Sequence, residues 1–175
     1  LTSSNETGYV LKAIKALTAG NEEIALTKSE DAVNVYTFTM PESDVTVKAE
    51  YLKIASSGTG TEADPYMISS VDELNAFSQA VNSGISFKGS YLKLKNDIYL
   101  DDSDKTKNNW TPIGHYVWDN YSPYYESFKG VFDGDGHTIG NIYISSNDKY
   151  QGFFGSVENA VIEDLNITGY VERAT

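Results

Sequence analysis

No cysteine occurs in the 175 residues, which excludes a disulfide framework, thiolate metal ligands and cysteine nucleophiles. No apolar run is long enough to cross a bilayer as a helix, and no charged segment leading into an apolar stretch opens the chain. Direct membrane insertion is therefore not expected. The sequence begins at Leu1 rather than Met, and we expect a piece of a longer exported protein whose signal and anchor lie elsewhere. Basic residues are scarce, with 13 Lys and Arg against 25 Asp and Glu and a net charge of −12. Such a surface repels polyanions, so nucleic acid is not an expected partner. Histidine occurs only as His115 and His137, which do not suggest a catalytic triad or a zinc site. Proline is limited to 4 residues.

What is plentiful favours strands. There are 13 tyrosines and 14 glycines, and β-branched or aromatic residues alternate between Gly, Asn and Asp punctuation. Four strands are expected in the first part of the chain. Residues 9–17 fit either a helix or a strand with Val10, Lys12, Ile14 and Ala16 on one face; Gly8 before and the turn Ala19-Gly20-Asn21 after favour the strand, and residues 23–26 follow. Residues 33–40 and 45–51 flank the turn Pro41-Glu42-Ser43-Asp44. These strands make a small antiparallel module that is marginal alone by size. Residues 54–60 are small and polar, as in a linker.

One helix is expected, over residues 70–82. Ser70 can cap its first turn and Glu73 can reach back, while Leu74, Phe77 and Val81 recur at helical spacing. Gly84 follows as a stop. Beyond it the pattern changes to short apolar strands between glycine turns. Ile139 overlays Ile162, Ile142 overlays Leu165 and Ile144 overlays Ile167, each pair 23 residues apart by subtraction. Ile98 and Leu100 precede Ile142 and Ile144 by nearly twice that. An intermediate coil is placed around Trp110-Thr111-Pro112-Ile113-Gly114. Such a repeat is expected of a solenoid, whose stacked coils share one core. The helix is expected to cover its N-terminal end, and its C-terminal end is expected to be open or completed by a neighbour.

Two resemblances rest on specific runs. Gly8-Tyr9-Val10-Leu11-Lys12-Ala13-Ile14 and Tyr36-Thr37-Phe38-Thr39-Met40-Pro41-Glu42-Ser43-Asp44-Val45 resemble a divergent internalin-type B-repeat, with its first strand missing. The ordered blocks Gly60-Thr61-Glu62-Ala63-Asp64-Pro65-Tyr66, Leu92-Lys93-Leu94, Trp110-Thr111-Pro112-Ile113-Gly114, Phe128-Lys129-Gly130-Val131-Phe132-Asp133-Gly134 and Gly152-Phe153-Phe154-Gly155 resemble GLUG-motif surface proteins. Phe153 stands where that short motif usually has Leu. The resemblances imply an all-β bacterial surface fragment: a partial B-repeat over 1–53, a linker over 54–60 and the start of a right-handed parallel β-helix over 61–175. They carry no catalytic residue onto this chain.

Three candidate sites follow from the residues. The insertion at 115–128 holds Tyr116, Trp118, Asp119, Asn120, Tyr121, Tyr124, Tyr125 and Phe128. Flat rings beside amides and carboxylates suit sugar recognition, but the same rings can simply pack a long loop. Trp118, Tyr121, Tyr124, Tyr125, Asp119 and Asn120 are the ligand-binding candidates. Asp133-Gly134-Asp135-Gly136 and Asp101-Asp102-Ser103-Asp104 offer oxygens but lack the spacing of a calcium loop, and Asp-Gly is ordinary turn chemistry. No metal or cofactor is expected. Paired carboxylates for polysaccharide cleavage cannot be picked out, because that chemistry depends on separations in space. The expectation is a non-catalytic adhesion module at the cell surface, with an extracellular glycan or a host-matrix protein as partner. The rivals are a structural spacer and part of a polysaccharide-active enzyme.

Overall fold

A computed structural model describes residues 7–28, 36–118 and 124–174. The order is β1 (Tyr9–Thr18), β2 (Glu23–Ile24), β3 (Thr27–Lys28), β4 (Tyr36–Thr37), β5 (Val45–Lys53), β6 (Tyr66–Ile68), α1 (Val71–Asn82), β7 (Tyr91–Leu94), β8 (Ile98–Tyr99), β9 (His115–Val117), β10 (Tyr124–Glu126), β11 (Val131–Asp133), β12 (Thr138–Ser145), β13 (Val161–Glu163) and β14 (Asn166–Glu172). The fold is all-β with one short helix.

The first strands form an antiparallel sheet of order β2-β1-β5, and β3 pairs with β4 separately. Strand β1 runs against β5 from Tyr9 beside Lys53 to Thr18 beside Val45, with an irregularity between Leu11 and Ala13. Residues 54–60, expected as a linker, are held rather than loose. The backbone N–H groups of Ile54 and Ala55 both donate to the Gly8 carbonyl, and the Gly8 N–H donates to that of Gly58. Ser56 N–H and the Met67 carbonyl, then Met67 N–H and the Ser57 carbonyl, pair along the outer edge of β6. Gly58 is required there. Its φ is +91°, and a Cβ would stand 1.8 Å from the Pro65 carbonyl oxygen. Val10, Ile54 and Ala55 consequently belong to the same buried cluster as the rest of the chain.

The remaining strands stack in parallel. One sheet has the order β13-β11-β7-β6 and a second has β14-β12-β8. Isolated parallel bridges join Ile113 to Phe154 and Phe128 to Val157. The expected register is wrong. Ile139 lies beside Ile167 rather than Ile162, and Ile98 lies beside Ile139 rather than Ile142. Ile162 instead lies beside Phe132, which has Leu92 on its other side. The successive steps in this sheet run from 66 to 92, from 92 to 132 and from 132 to 162, so there is no constant period. The physical reason is local. Asn141 has a φ of 63°, and the register shifts between Ile139 and Ile142, so both isoleucines are buried despite their odd spacing. Asp164, with a φ of 47°, turns a corner between β13 and β14. A bulge within β12 and a corner before β14 leave the same apolar spacing. Nor do residues 110–114 add an intermediate strand: β7 pairs directly with β11, and β8 with β12. Ile113 sits beside Phe154, on the chain between β8 and β11.

Helix α1 forms as expected. The Ser70 side chain caps it by accepting from Glu73 N–H at 3.2 Å. Glu73 reaches back one residue further than a capping box requires, accepting from the Ser69 N–H and hydroxyl at 2.9 and 3.0 Å. Phe77 drives the helix into the core, contacting Phe87, Phe128 and Phe132 at ring centroid distances of 5.1, 5.4 and 5.8 Å. The edge of β6 is covered by residues 56–57, so edge protection and core closure fall to different segments. At the other end, β13 and β14 are exposed along their whole length.

Candidate recognition site

Strands β9 and β10 form a separate two-stranded antiparallel sheet. It starts just after Gly114, whose φ is +79° and where a Cβ would lie 2.3 Å from the Ser156 carbonyl oxygen. It ends just before Phe128, which is fully buried. Within it Tyr125 lies opposite Tyr116, and Tyr124 opposite Val117. Residues directly opposite share a face and neighbours alternate, so Tyr116, Trp118 and Tyr125 lie on one face and Tyr124 on the other. Phe128, included in the insertion from sequence, belongs to the core.

The rings on the first face touch each other. Tyr116 is 5.1 Å from Tyr125 and 6.3 Å from Trp118, centroid to centroid. A fourth ring joins from a distant segment: Tyr150 meets Tyr125 edge-on at 5.5 Å, and their hydroxyls are 2.8 Å apart. That hydrogen bond, followed by partial desolvation, pushes the Tyr125 hydroxyl above the ordinary phenol range, so it stays protonated. All four rings face solvent, with Trp118 73% exposed, Tyr150 46%, Tyr125 45% and Tyr116 36%. Among the described residues of this insertion, Tyr116, Trp118, Tyr124 and Tyr125 are exposed, whereas Phe128 is buried. Asp119, Asn120 and Tyr121 lie outside the described residues.

Beside this cluster runs a groove of about 800 Å³. Its walls come from α1 through Asn75 and Asn82, from residues 108–116, and from residues 146–151. Trp110 is buried at its floor, stacked on Phe153 at 5.0 Å, and its indole N–H donates to the Phe153 carbonyl at 3.0 Å. Tyr116 and Tyr150 line the groove as well as the ring cluster. Asn82 is spent on the fold: its amide donates to the Pro112 carbonyl at 2.9 Å, and its oxygen accepts from Gly114 N–H at 2.7 Å. Tyr150 and the groove were missed in the sequence because their contact with the hairpin is tertiary. The only local signal is Tyr150 itself, an aromatic within the polar run from Ser146 to Gln151.

The acidic clusters have other partners. Lys93 places its ammonium 3.0 Å from Asp133 and 2.9 Å from Asp135. The hydrogen bonds Lys93 donates, first to Asp135 and then to Asp133, raise its pKa and keep it charged there. Asp101 accepts from Ser103 N–H at 2.9 Å, Asp104 accepts from Thr106 N–H at 3.0 Å, and Lys105 and Lys107 pair with Asp102 and Asp104. Asp97 accepts from Thr138 N–H and faces His137 Nδ1 at 3.1 Å, both of which lower its pKa. Each is turn or ladder chemistry. Among the described residues no group of three or more His, Cys, Asp or Glu converges as metal ligands would.

No family model matches the chain. It is 32% identical over 157 residues to Halomucin from Haloquadratum walsbyi, a match covering 82% of this chain and 2% of that protein. It is 30% identical over 122 residues to a protein of Evansella cellulosilytica provisionally named a Gly-rich membrane protein, covering 66% of this chain and 12% of that one. A crystal structure from Bacteroides ovatus, provisionally assigned as an immunoglobulin A1 protease, aligns with a TM-score of 0.39 and 26% identity, over 66% of this chain and 30% of that chain. The chain thus spans a small fraction of the length of the curated relatives it matches. No helix among the described residues is long and apolar enough to cross a membrane.

Proposed function

We propose that this chain is a non-catalytic recognition module of a cell-surface protein, binding an extracellular glycan or a host-matrix protein. The observation that carries the reading is the solvent-facing cluster of Tyr116, Trp118, Tyr125 and Tyr150. Contacts between half-exposed rings stabilise a fold less than burial in its core does. Such rings offer flat apolar faces with polar edges, the surface that sugars and protein partners both use. The fold suits display: parallel ladders in the manner of a right-handed β-helix of GLUG type, carried on a B-repeat-like module that would act as a stalk. A surface or membrane setting is supported by the names of the two relatives, one built on mucin and the other a membrane protein.

The groove beside the cluster supports binding over cleavage. Asp148 is its one carboxylate among the described lining residues, and it is engaged by the Ser146 hydroxyl at 3.0 Å. Two-carboxylate glycoside chemistry needs a facing pair.

An array of glycans and matrix proteins, probed with the wild type and a Tyr116→Ala/Trp118→Ala variant, tests the reading. We expect binding by the wild type and its loss in a variant with unchanged circular dichroism. No binding across the array would favour the spacer reading instead.

A further inference from the structure

The amides around the groove divide into two groups. Asn82 and Asn109 are consumed by the fold: Asn109 donates to the carbonyls of Asp101 and Asn141, both at 2.8 Å, and accepts from Tyr143 N–H at 2.7 Å. The others keep free valences. Asn75 stands on the exposed face of α1 with no hydrogen-bond partner among the described residues. Asn108 uses its oxygen to accept from Ser145 N–H at 2.7 Å, which leaves its NH₂ open. Gln151 donates to the Lys149 carbonyl at 3.0 Å, which leaves its oxygen open. The groove therefore presents both unpaired donors and unpaired acceptors, beside two tyrosine rings.

Charge narrows the ligand. The described lining contains one acid, Asp148, one lysine, Lys149, and one histidine, His115. The chain as a whole carries −12. A polyanionic sugar would approach against that field and meet no cluster of cations. Vicinal hydroxyls each donate and accept, which matches an amide set of mixed polarity. The volume is near the upper end of the range of about 300–1,000 Å³ usual for ligand sites, which favours several rings over one.

We infer that the groove between α1, residues 108–116 and residues 146–151 binds a short stretch of uncharged saccharide, with Tyr116 and Tyr150 stacking and Asn75, Asn108 and Gln151 reading hydroxyls. This rests on the recognition reading above and names the ligand class and the place. Trp118, which does not line the groove, then extends the contact at its margin.

The test uses the whole chain with three neutral probes, cellotetraose, maltotetraose and mannotetraose, and one acidic probe, tetragalacturonate. Affinity is read by calorimetry, and the place by ¹H–¹⁵N shifts of the side-chain amides. We expect at least one neutral probe to bind, to move the amide signals of Asn75, Asn108 and Gln151, and to weaken about tenfold in Asn75→Ala/Gln151→Ala, as two lost hydrogen bonds imply. That variant removes no internal bond except the one from Gln151 to Lys149, and its circular dichroism checks the fold. Tetragalacturonate binding as tightly as any neutral probe would overturn the ligand class alone. Neutral binding untouched in Asn75→Ala/Gln151→Ala but lost in Trp118→Ala would overturn the location alone. If no probe binds while the array finds a matrix protein, the inference fails and the recognition reading stands. Silence in both experiments overturns both.

Discussion

Two sets of aromatic rings meet in this molecule, and they differ in what surrounds them. Phe77, Phe87, Phe128, Phe132 and Phe153, with Trp110, are buried and contact one another through edge-on and stacked pairs. Tyr116, Trp118, Tyr125 and Tyr150 also contact one another, but in solvent. The chain passes from one set to the other within a few residues: Ile113 and Phe128 are fully buried, and the exposed hairpin lies between them. Ring–ring geometry is alike in both, so geometry alone does not separate packing from recognition. The polar handle goes further. The inner set is mostly phenylalanine, and its tryptophan has its N–H satisfied by a carbonyl. The outer set carries hydroxyls and an indole at the surface. Tyr66 is nevertheless fully buried, so residue type sorts the rings only in part.

The contrast predicts unequal losses. The largest belongs to Phe132, which is fully buried, lies between Leu92 and Ile162 in its sheet and contacts Phe77, Phe153 and Phe154. Phe132→Ala should cost about 3–5 kcal/mol of unfolding free energy, measured by urea denaturation, through lost transfer energy and a residual cavity. A loss under about 1 kcal/mol would mean that the inner rings are loosely packed and that the two sets do not differ.

Acid should affect the fold without charging the rings. Asp97, Asp101 and Asp104 have folded-state pKa values below the ordinary carboxylate value, Asp97 and Asp101 chiefly through backbone N–H bonds and Asp104 chiefly through the Thr106 hydroxyl. A depressed folded pKa adds stability that is present above the unfolded value and lost as pH falls through the folded one. Stability should therefore be level near neutrality and decline below about pH 4, the ordinary aspartate range. These carboxylates are exposed and screened, so the decline should be gradual. Thermal melts across that window check it. Rising stability on acidification would reverse the sign and overturn the assignment.

How much of this was legible in the sequence follows from how local each signal is. Helix α1 combined a cap, a 3.6-residue apolar period and a glycine stop, and all three lie within fifteen residues of one another. Strand β5 alternated over a long run, whereas residues 9–17 fitted a helix as well as a strand, and the pairing with β5 makes them β1. The register of the parallel ladders was not legible, because Asn141 adds a bulge that a count of apolar spacings reads as one more regular position. Residues 54–60 looked loose by composition, yet Gly58 is small because the Pro65 carbonyl leaves no room. At the site, the density of rings marked the hairpin but not its faces. Tyr124 was grouped with Trp118 and Tyr125, whereas strand pairing turns it away, and Tyr150 enters only through folding.

The measurement that bears most directly on the central claim is the unfolding free energy of the Tyr116→Ala/Trp118→Ala variant against wild type. If the outer rings serve recognition, the difference should stay within about 1.5 kcal/mol, the scale of the ring contacts that Tyr116 makes with Tyr125 and Trp118. A loss of about 3 kcal/mol, comparable to that of a buried phenylalanine, would make the hairpin a packing element and contradict the account.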